Sequence, residues 1–227
     1  MYKIILDRMV GQHKLHPDVY IGAAGNLETD NAIVESMSTA LQSRMVHLEL
    51  SLNNISWVKW AINKGFDHRI TDYVGFMPDH LFNFQPDHTD KTFSCPRTWE
   101  FANRLISDPG FDMNSSIALP LLAGTLGEGV AVSFREFCQI KTHTFEDILN
   151  DPTGLPIPEE PSHLFATCGC IAHQVDETNI AKAMGFIMRM PPEFMSICLR
   201  ESCYRQPKIR KNPMVQNWAI NNADDLF

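Results

Sequence analysis

The stretch Val19–Leu50, VYIGAAGNLETDNAIVESMSTALQSRMVHLEL, decides how the rest of the chain is read. Val19–Ala24 is an apolar run that narrows to small residues, a composition suited to a strand buried on both faces of a parallel sheet. Gly25 and Asn26 follow it directly. In open α/β sheets ligands sit beyond the carboxyl ends of the strands, so a polar side chain at that point is a site candidate. Ile33, Met37 and Leu41 recur at helical spacing, and the predicted helix ends at Ser43-Arg44. Met45–Leu50 then alternates, placing Val46, Leu48 and Leu50 on one face of a second strand.

Outward from this stretch, the chain suggests a succession of helices. Tyr2–Val10 has helical spacing in Ile5, Leu6, Met9 and Val10, with Gly11 placed to stop it. A helix over Ile55–Lys64 is capped by Asn53 or Asn54, buries Trp57, Trp60 and Ala61, and stops at Gly65. Phe66–Phe93 is broken by Gly75, Pro78 and Pro86 into short helices and loops. Ser94–Ile106 is the best-marked helix, with Ser94 or Cys95 as cap, Pro96 in the first turn and an apolar face of Trp99, Ala102, Leu105 and Ile106. Ile117–Ala123 and Val130–Ile140 read as helices joined by a glycine-rich turn. Thr144–Pro161, with four prolines, reads as an extended connection. Ser162–Val175, Thr178–Met190 and Phe194–Cys203 are helical, and Trp218 anchors the tail before the acidic NADDLF segment.

The segments AAGN (Ala23–Asn26), LQSRMVHLEL (Leu41–Leu50) and Ser94-Cys95-Pro96-Arg97 together resemble the second half of an AAA+ ATPase module, closest to the MoxR-type branch. The resemblance runs from about Ile5 to the end of the chain and lies in the order and spacing of the motifs. It implies that Asn26 is the sensor 1 residue that positions the attacking water or touches the terminal phosphate. It implies that Arg44 is the arginine finger completing the site of a neighbouring subunit, and that Arg97 is the sensor 2 residue on the lid. The implied fold is α/β: a partial parallel-sheet AAA+ core of few strands in residues 1–65, then a mostly helical lid and C-terminal helical region in 66–227. The implied cofactors are ATP and Mg. The implied partners are further copies in a ring, a hexamer for the intact protein, and protein clients remodelled in a chaperone-like way.

Each of these three residues also has a plain structural alternative. Asn26 follows a glycine and can serve a tight turn. Arg44 in a helix's last turn is favoured by the macrodipole, although a planar, permanently charged fork also suits phosphate oxygens. Arg97 stands in a first turn, where the macrodipole disfavours a cation; a phosphate at that helix end would account for it, whereas snorkelling to solvent or pairing with Glu100 would make it structural. Glu28 lies close enough to Asn26 to orient a water or to be a solvated loop residue.

What the chain lacks is equally informative. There is no glycine-rich loop ending in Lys-Ser or Lys-Thr (Walker A), and no acidic strand end of the Walker B kind. The glycines of Gly124–Gly129 follow no convincing strand and precede no such lysine. This chain alone is therefore expected to turn over no ATP, the alternative being a non-catalytic interaction or assembly protein built on a degenerate AAA+ module. With its sheet partners missing, the Val19–Ala24 strand is expected to expose apolar surface.

The bulk properties narrow the remaining classes. At 227 residues the chain can bury a sizeable core. A net charge of -8 argues against a nucleic-acid-coating surface. No apolar run is long enough for a membrane span, and MYKIILDRMV lacks the core and cleavage site of an export signal. Six irregularly spaced cysteines then read as reduced thiols of a cytoplasmic protein. No metal site is expected: His13 and His16 have no third ligand nearby, Asp87-His88-Thr89-Asp90 reads as a solvated loop, and Cys168-x-Cys170-x-x-His173 lacks zinc spacing and a fourth ligand.

Overall fold

A computed structural model describes residues 2–25, 37–85 and 91–222. The chain divides into two compact units, Met1–Ser51 with Gln85–Thr89, and Leu52–Phe84 with Asp90–Phe227.

In the first unit, helix α1 (Tyr2–Leu6) is followed by strands β1 (Met9–Val10) and β2 (His13–Lys14). The strands pair antiparallel, Met9 opposite Lys14 and Val10 opposite His13. The predicted helix over Tyr2–Val10 is thus four residues too long. Gly11, at φ 61°, turns the hairpin and does not cap a helix, since a tight hairpin needs positive φ at its tip. Arg8 clamps the next loop, its Nη2 donating to the carbonyls of His16, Pro17 and Val19 at 3.1, 3.1 and 2.6 Å. Helix α2 (Thr39–Gln42) buries Leu41 and is all of the predicted Ile33–Arg44 helix that falls on described residues in helical form; Ile33 itself lies outside them.

The predicted strands at Val19–Ala24 and Met45–Leu50 have no ladder partner among the described residues, whose only sheet is β1–β2. Both segments are exposed, with Tyr20 at 98% and Leu50 at 96% of full exposure. Alternating or apolar sequence makes a strand only when a neighbour takes its N–H and C=O groups, and none is offered here. The expected parallel core is therefore not seen, while the expected exposure of apolar side chains is.

The second unit is helical: α3 (Asn54–Asn63), α4 (His68–Phe76), α5 (Pro96–Ile106), α6 (Ala118–Leu126), α7 (Glu128–Cys138), α8 (Phe145–Asn150), α9 (Pro161–Gln174), α10 (Ile180–Ile187), α11 (Pro192–Arg205) and α12 (Pro213–Asn221), with single 3₁₀ turns at Pro78–Leu81 and Pro207–Lys211. Their ends follow local chemistry. Asn53 accepts from Ser56 N–H at 2.8 Å to start α3. Gly127, at φ 88°, makes the break between α6 and α7 that a side chain would strain. The predicted extended connection Thr144–Pro161 is corrected: Thr144 and Asp147 form a reciprocal capping box, which starts α8 within it.

Two apolar cores result. The first, on α3 to α7, centres on Trp99, Tyr73 and Phe134, all fully buried, with Phe134 meeting Trp99 and Tyr73 edge-on at 5.3 and 5.2 Å. Such aromatic pairs add about 0.5–1.5 kcal/mol each beyond area burial. Trp57 and Ala61 join this core, but the predicted partner Trp60 is 42% exposed and lies at its edge, its ring against Phe66 and Trp57. The second core lies on α8 to α12, around Ile148, Ile171, Met184 and Phe186, with Trp218 anchoring α12 as expected. Among the described residues no helix is long and apolar enough to cross a membrane.

The exposed Val19, Tyr20, Ile21, Val46, Leu48 and Leu50 lead to a direct expectation. The purified chain self-associates with rising concentration in light scattering, and Tyr20→Lys together with Leu48→Lys lowers that association; a clean monomer in the unsubstituted chain would contradict it.

Candidate functional site

Arg97 occupies the first turn of α5, as its sequence context predicted. Cys95 is the cap, Pro96 opens the helix, and the Thr98 hydroxyl accepts from the Cys95 N–H at 2.8 Å. The Arg97 side chain is exposed, and among the described residues it has no ion-pair partner. Glu100, the acidic neighbour that could have neutralised it, is taken by Arg104 at 2.6 Å. A cation is thus held at a positive helix end with no local compensation.

Arg44 lies in the turn after α2 and is exposed. Its Nη1 donates to the Ala40 carbonyl at 2.7 Å and to Ser43 Oγ at 3.4 Å, so the guanidinium folds back on its own turn. Asn26 and Glu28 lie outside the described residues. Arg44 belongs to the first unit and Arg97 to the second.

The most unusual chemistry of the second unit is a group the sequence reading did not single out. Asp72 on α4, 5% exposed, receives Arg205 Nη2 of α11 at 3.0 Å on Oδ1. Arg205 also reaches Glu201 Oε1 at 2.7 Å and Thr71 Oγ1 at 2.8 Å. The second oxygen of Asp72 meets His68 Nδ1 at 3.2 Å, and His68 stacks on His173 of α9 at 4.7 Å. Two i,i+4 pairs, His68 with Asp72 and Glu201 with Arg205, were the available sequence signal. Nothing in the sequence shows that the two pairs face each other.

Gly169 makes this approach possible. A Cβ added there would stand 2.2 Å from Asp72 Oδ2, inside any van der Waals contact. A helical glycine costs about 1 kcal/mol relative to alanine, and here it lets α9 pass against a buried carboxylate.

Burial sets the titration of the groups around it. Hydrogen bonding to Asp72 raises the His68 imidazole, while burial and the facing His68 lower His173, so a proton on this stacked pair resides on His68. Burial, reinforced by the Asp72 charge, pushes Glu201 up to about 7 against the pull of Arg205. Beside the cluster lies a cavity of about 680 Å³, lined by Thr71 and Glu201 and by apolar side chains including Ile55, Val58, Phe165 and Trp218.

The zinc-like Cys168, Cys170 and His173 diverge. Cys168 faces Cys198 and its thiol is raised by that contact and by burial, Cys170 points to the His143 carbonyl, and His173 stacks on His68. Among the described residues no group of His, Cys, Asp or Glu is arranged to hold a metal ion. Comparison with protein-family models, curated proteins and solved structures finds no match to this chain.

The cluster predicts two mutational outcomes, both read as denaturant midpoints. Gly169→Ala destabilises by about 1–3 kcal/mol, because withdrawing the buried Asp72 from the new methyl group breaks its contacts with Arg205 and His68. Arg205→Met, which strands two carboxylates, costs about 3–5 kcal/mol at pH 8. An unchanged midpoint in either would show that the contact contributes little.

Proposed function

We propose that this chain supplies the sensor and lid portion of a MoxR-like AAA+ ATPase, which binds and hydrolyses ATP with Mg to remodel protein partners. The observation that carries the reading is Arg97: an exposed, permanently charged fork in the first turn of a capped helix, where both the backbone N–H groups and the side chain suit an anion. The helical character of the second unit agrees with a lid, and the order of Asn26, Arg44 and Arg97 along the chain agrees with sensor 1, finger and sensor 2.

On this reading, water attacks the terminal phosphorus of ATP and ADP leaves with the former bridging oxygen. Asn26 orients the water. Arg44, with its guanidinium released from the Ala40 carbonyl, neutralises charge gathering on the phosphoryl oxygens of a neighbouring subunit's nucleotide. Arg97 binds the phosphates and couples their presence to the position of α5. Residues of a polypeptide carrying the Walker motifs would hold the Mg, which would supply charge neutralisation to the phosphates. The intact assembly is a cytoplasmic ring, a hexamer by the same resemblance.

A second reading, a non-catalytic assembly protein on a degenerate AAA+ module, is favoured by one observation, the exposed apolar side chains of the first unit. ATP turnover separates the two. The chain alone gives none; addition of a polypeptide bearing Walker A and Walker B gives turnover, which Arg44→Ala lowers by about 10³-fold or more. Arg97→Ala weakens nucleotide binding in the same assembly. Turnover indifferent to Arg44→Ala would remove the catalytic reading, and assembly without nucleotide binding would establish the second.

A further inference from the structure

Where α4, α9 and α11 meet, two carboxylates share one guanidinium in a place with little water. The side chains of Asp72, Arg205 and Glu201 are 5%, 10% and 15% exposed. Arg205 divides its donors between them, Nη2 to Asp72 Oδ1 at 3.0 Å and Nη2 and Nε to Glu201 Oε1 at 2.7 and 3.1 Å. The two carboxylates thus meet at one guanidinium nitrogen, Arg205 Nη2. Two negative charges and one positive make an uneven count, and a buried uneven count is costly.

The other groups facing the cluster only partly correct it. From α4, His68 meets the second Asp72 oxygen, the Thr71 hydroxyl lies 3.4 Å from Oδ1, and Asp67 is occupied by Arg69 at 2.8 Å. From α9 come His173, lowered by burial and by the facing His68, and the thiols of Cys168, raised by its contact with Cys198 and by burial, and of Cys170, raised by burial. From α7 comes Cys138, pushed up to about 12 by burial, and from α11 the thiol of Cys198. The missing positive charge is therefore a proton, and His68 and Glu201 are the two groups around Asp72 raised so as to hold one.

We infer that this junction is a proton-operated joint: with a proton on Glu201 the two carboxyl groups share Arg205 and hold α11 against α4, and without it they repel and the contact loosens. The proton passes to solvent water, and the cavity lined by Glu201 and Thr71 offers the route. Because α4 belongs to the first core and α9 and α11 carry the second, the joint sets how tightly the two halves of the helical unit pack.

The direction of the pH dependence follows. Glu201 titrates at about 7 in the folded chain against 4.5 when free, so the native state holds the proton more tightly than the unfolded one. Its contribution to stability is complete below the free value, is lost as pH climbs to about 7, and changes no further above that. His68, also raised, weakens the fold in the same sense above its free value of 6.5, whereas the lowered His173 acts oppositely below 6.5.

Denaturant unfolding of the full chain and of Glu201→Gln between pH 5 and 8.5 isolates the Glu201 contribution. Glutamine offers a carbonyl to Arg205 and an amide N–H to Asp72, imitating the protonated acid. The two proteins converge near pH 5, and at pH 8 the folding equilibrium constant of the variant is the higher by on the order of 10²-fold. The gap persists in a His68→Gln background. Amide protection of α11, corrected for intrinsic exchange, falls above pH 7 in the unsubstituted chain and not in the variant. A gap independent of pH, or one of opposite sign, overturns the joint. Should the variant not fold, ¹³C-carboxyl NMR of the unsubstituted chain decides: one glutamate titrating near pH 7 supports the joint, and none above pH 5.5 overturns it.

Discussion

The contact between Asp72 and Arg205 joins positions 133 residues apart in the chain at 3.0 Å. It lies where α4 crosses α9 and α11, and each of these helices is shaped to allow it. On α9 the side chain is absent at Gly169, on α4 the cap Asp67 is held by Arg69, and on α11 Glu201 and Arg205 stand one turn apart. A buried ion pair of this kind is a poor source of net stability, because desolvation offsets much of the Coulomb gain. Its effect is on arrangement: any register of α11 that separates Arg205 from Asp72 leaves a carboxylate in a dry place. The apolar cores supply most of the free energy, and the polar contact selects which packing of them is native.

The same placement makes the helical unit chemically responsive. A carboxyl pushed up to about 7, a pair of stacked imidazoles with opposite shifts and a cavity lined by Glu201 all lie at the junction of α4, α9 and α11. Removal of water drives the shifts of Glu201 and His173, whereas the hydrogen bond to Asp72 raises His68 against the effect of burial. Arg97 stands on a different helix, α5, and is uncompensated for a different reason: it is exposed at the helix end, so water screens it. The helical unit therefore carries two kinds of unbalanced charge, one buried and one exposed to solvent.

The first unit shows the opposite condition. Its apolar segments are written as strands, but within the described residues they have no neighbour to complete a ladder, and Tyr20 and Leu50 stand almost fully in solvent. Secondary structure of this type is a property of pairs of segments, and a segment cannot express it alone. A helix meets its own hydrogen-bond needs internally, which is why the helices of the second unit form where their local patterns indicate.

The sequence by itself determined the helices that carry their own signals. Pro96 and the apolar face of Trp99, Ala102 and Ile106 marked α5 and put Arg97 in its first turn, and Asn53 and Gly65 bounded α3. It also contained the Thr144–Asp147 capping box, although four prolines nearby masked it. Only the tertiary structure decided that His68 with Asp72 and Glu201 with Arg205, two ordinary i,i+4 pairs, face one another across a glycine, and that Trp60 is left outside the core that Trp57 enters. Spacing along a helix specifies which side chains share a face; what that face meets depends on crossing angles and on how deeply water is excluded, and these exist only once the helices have packed.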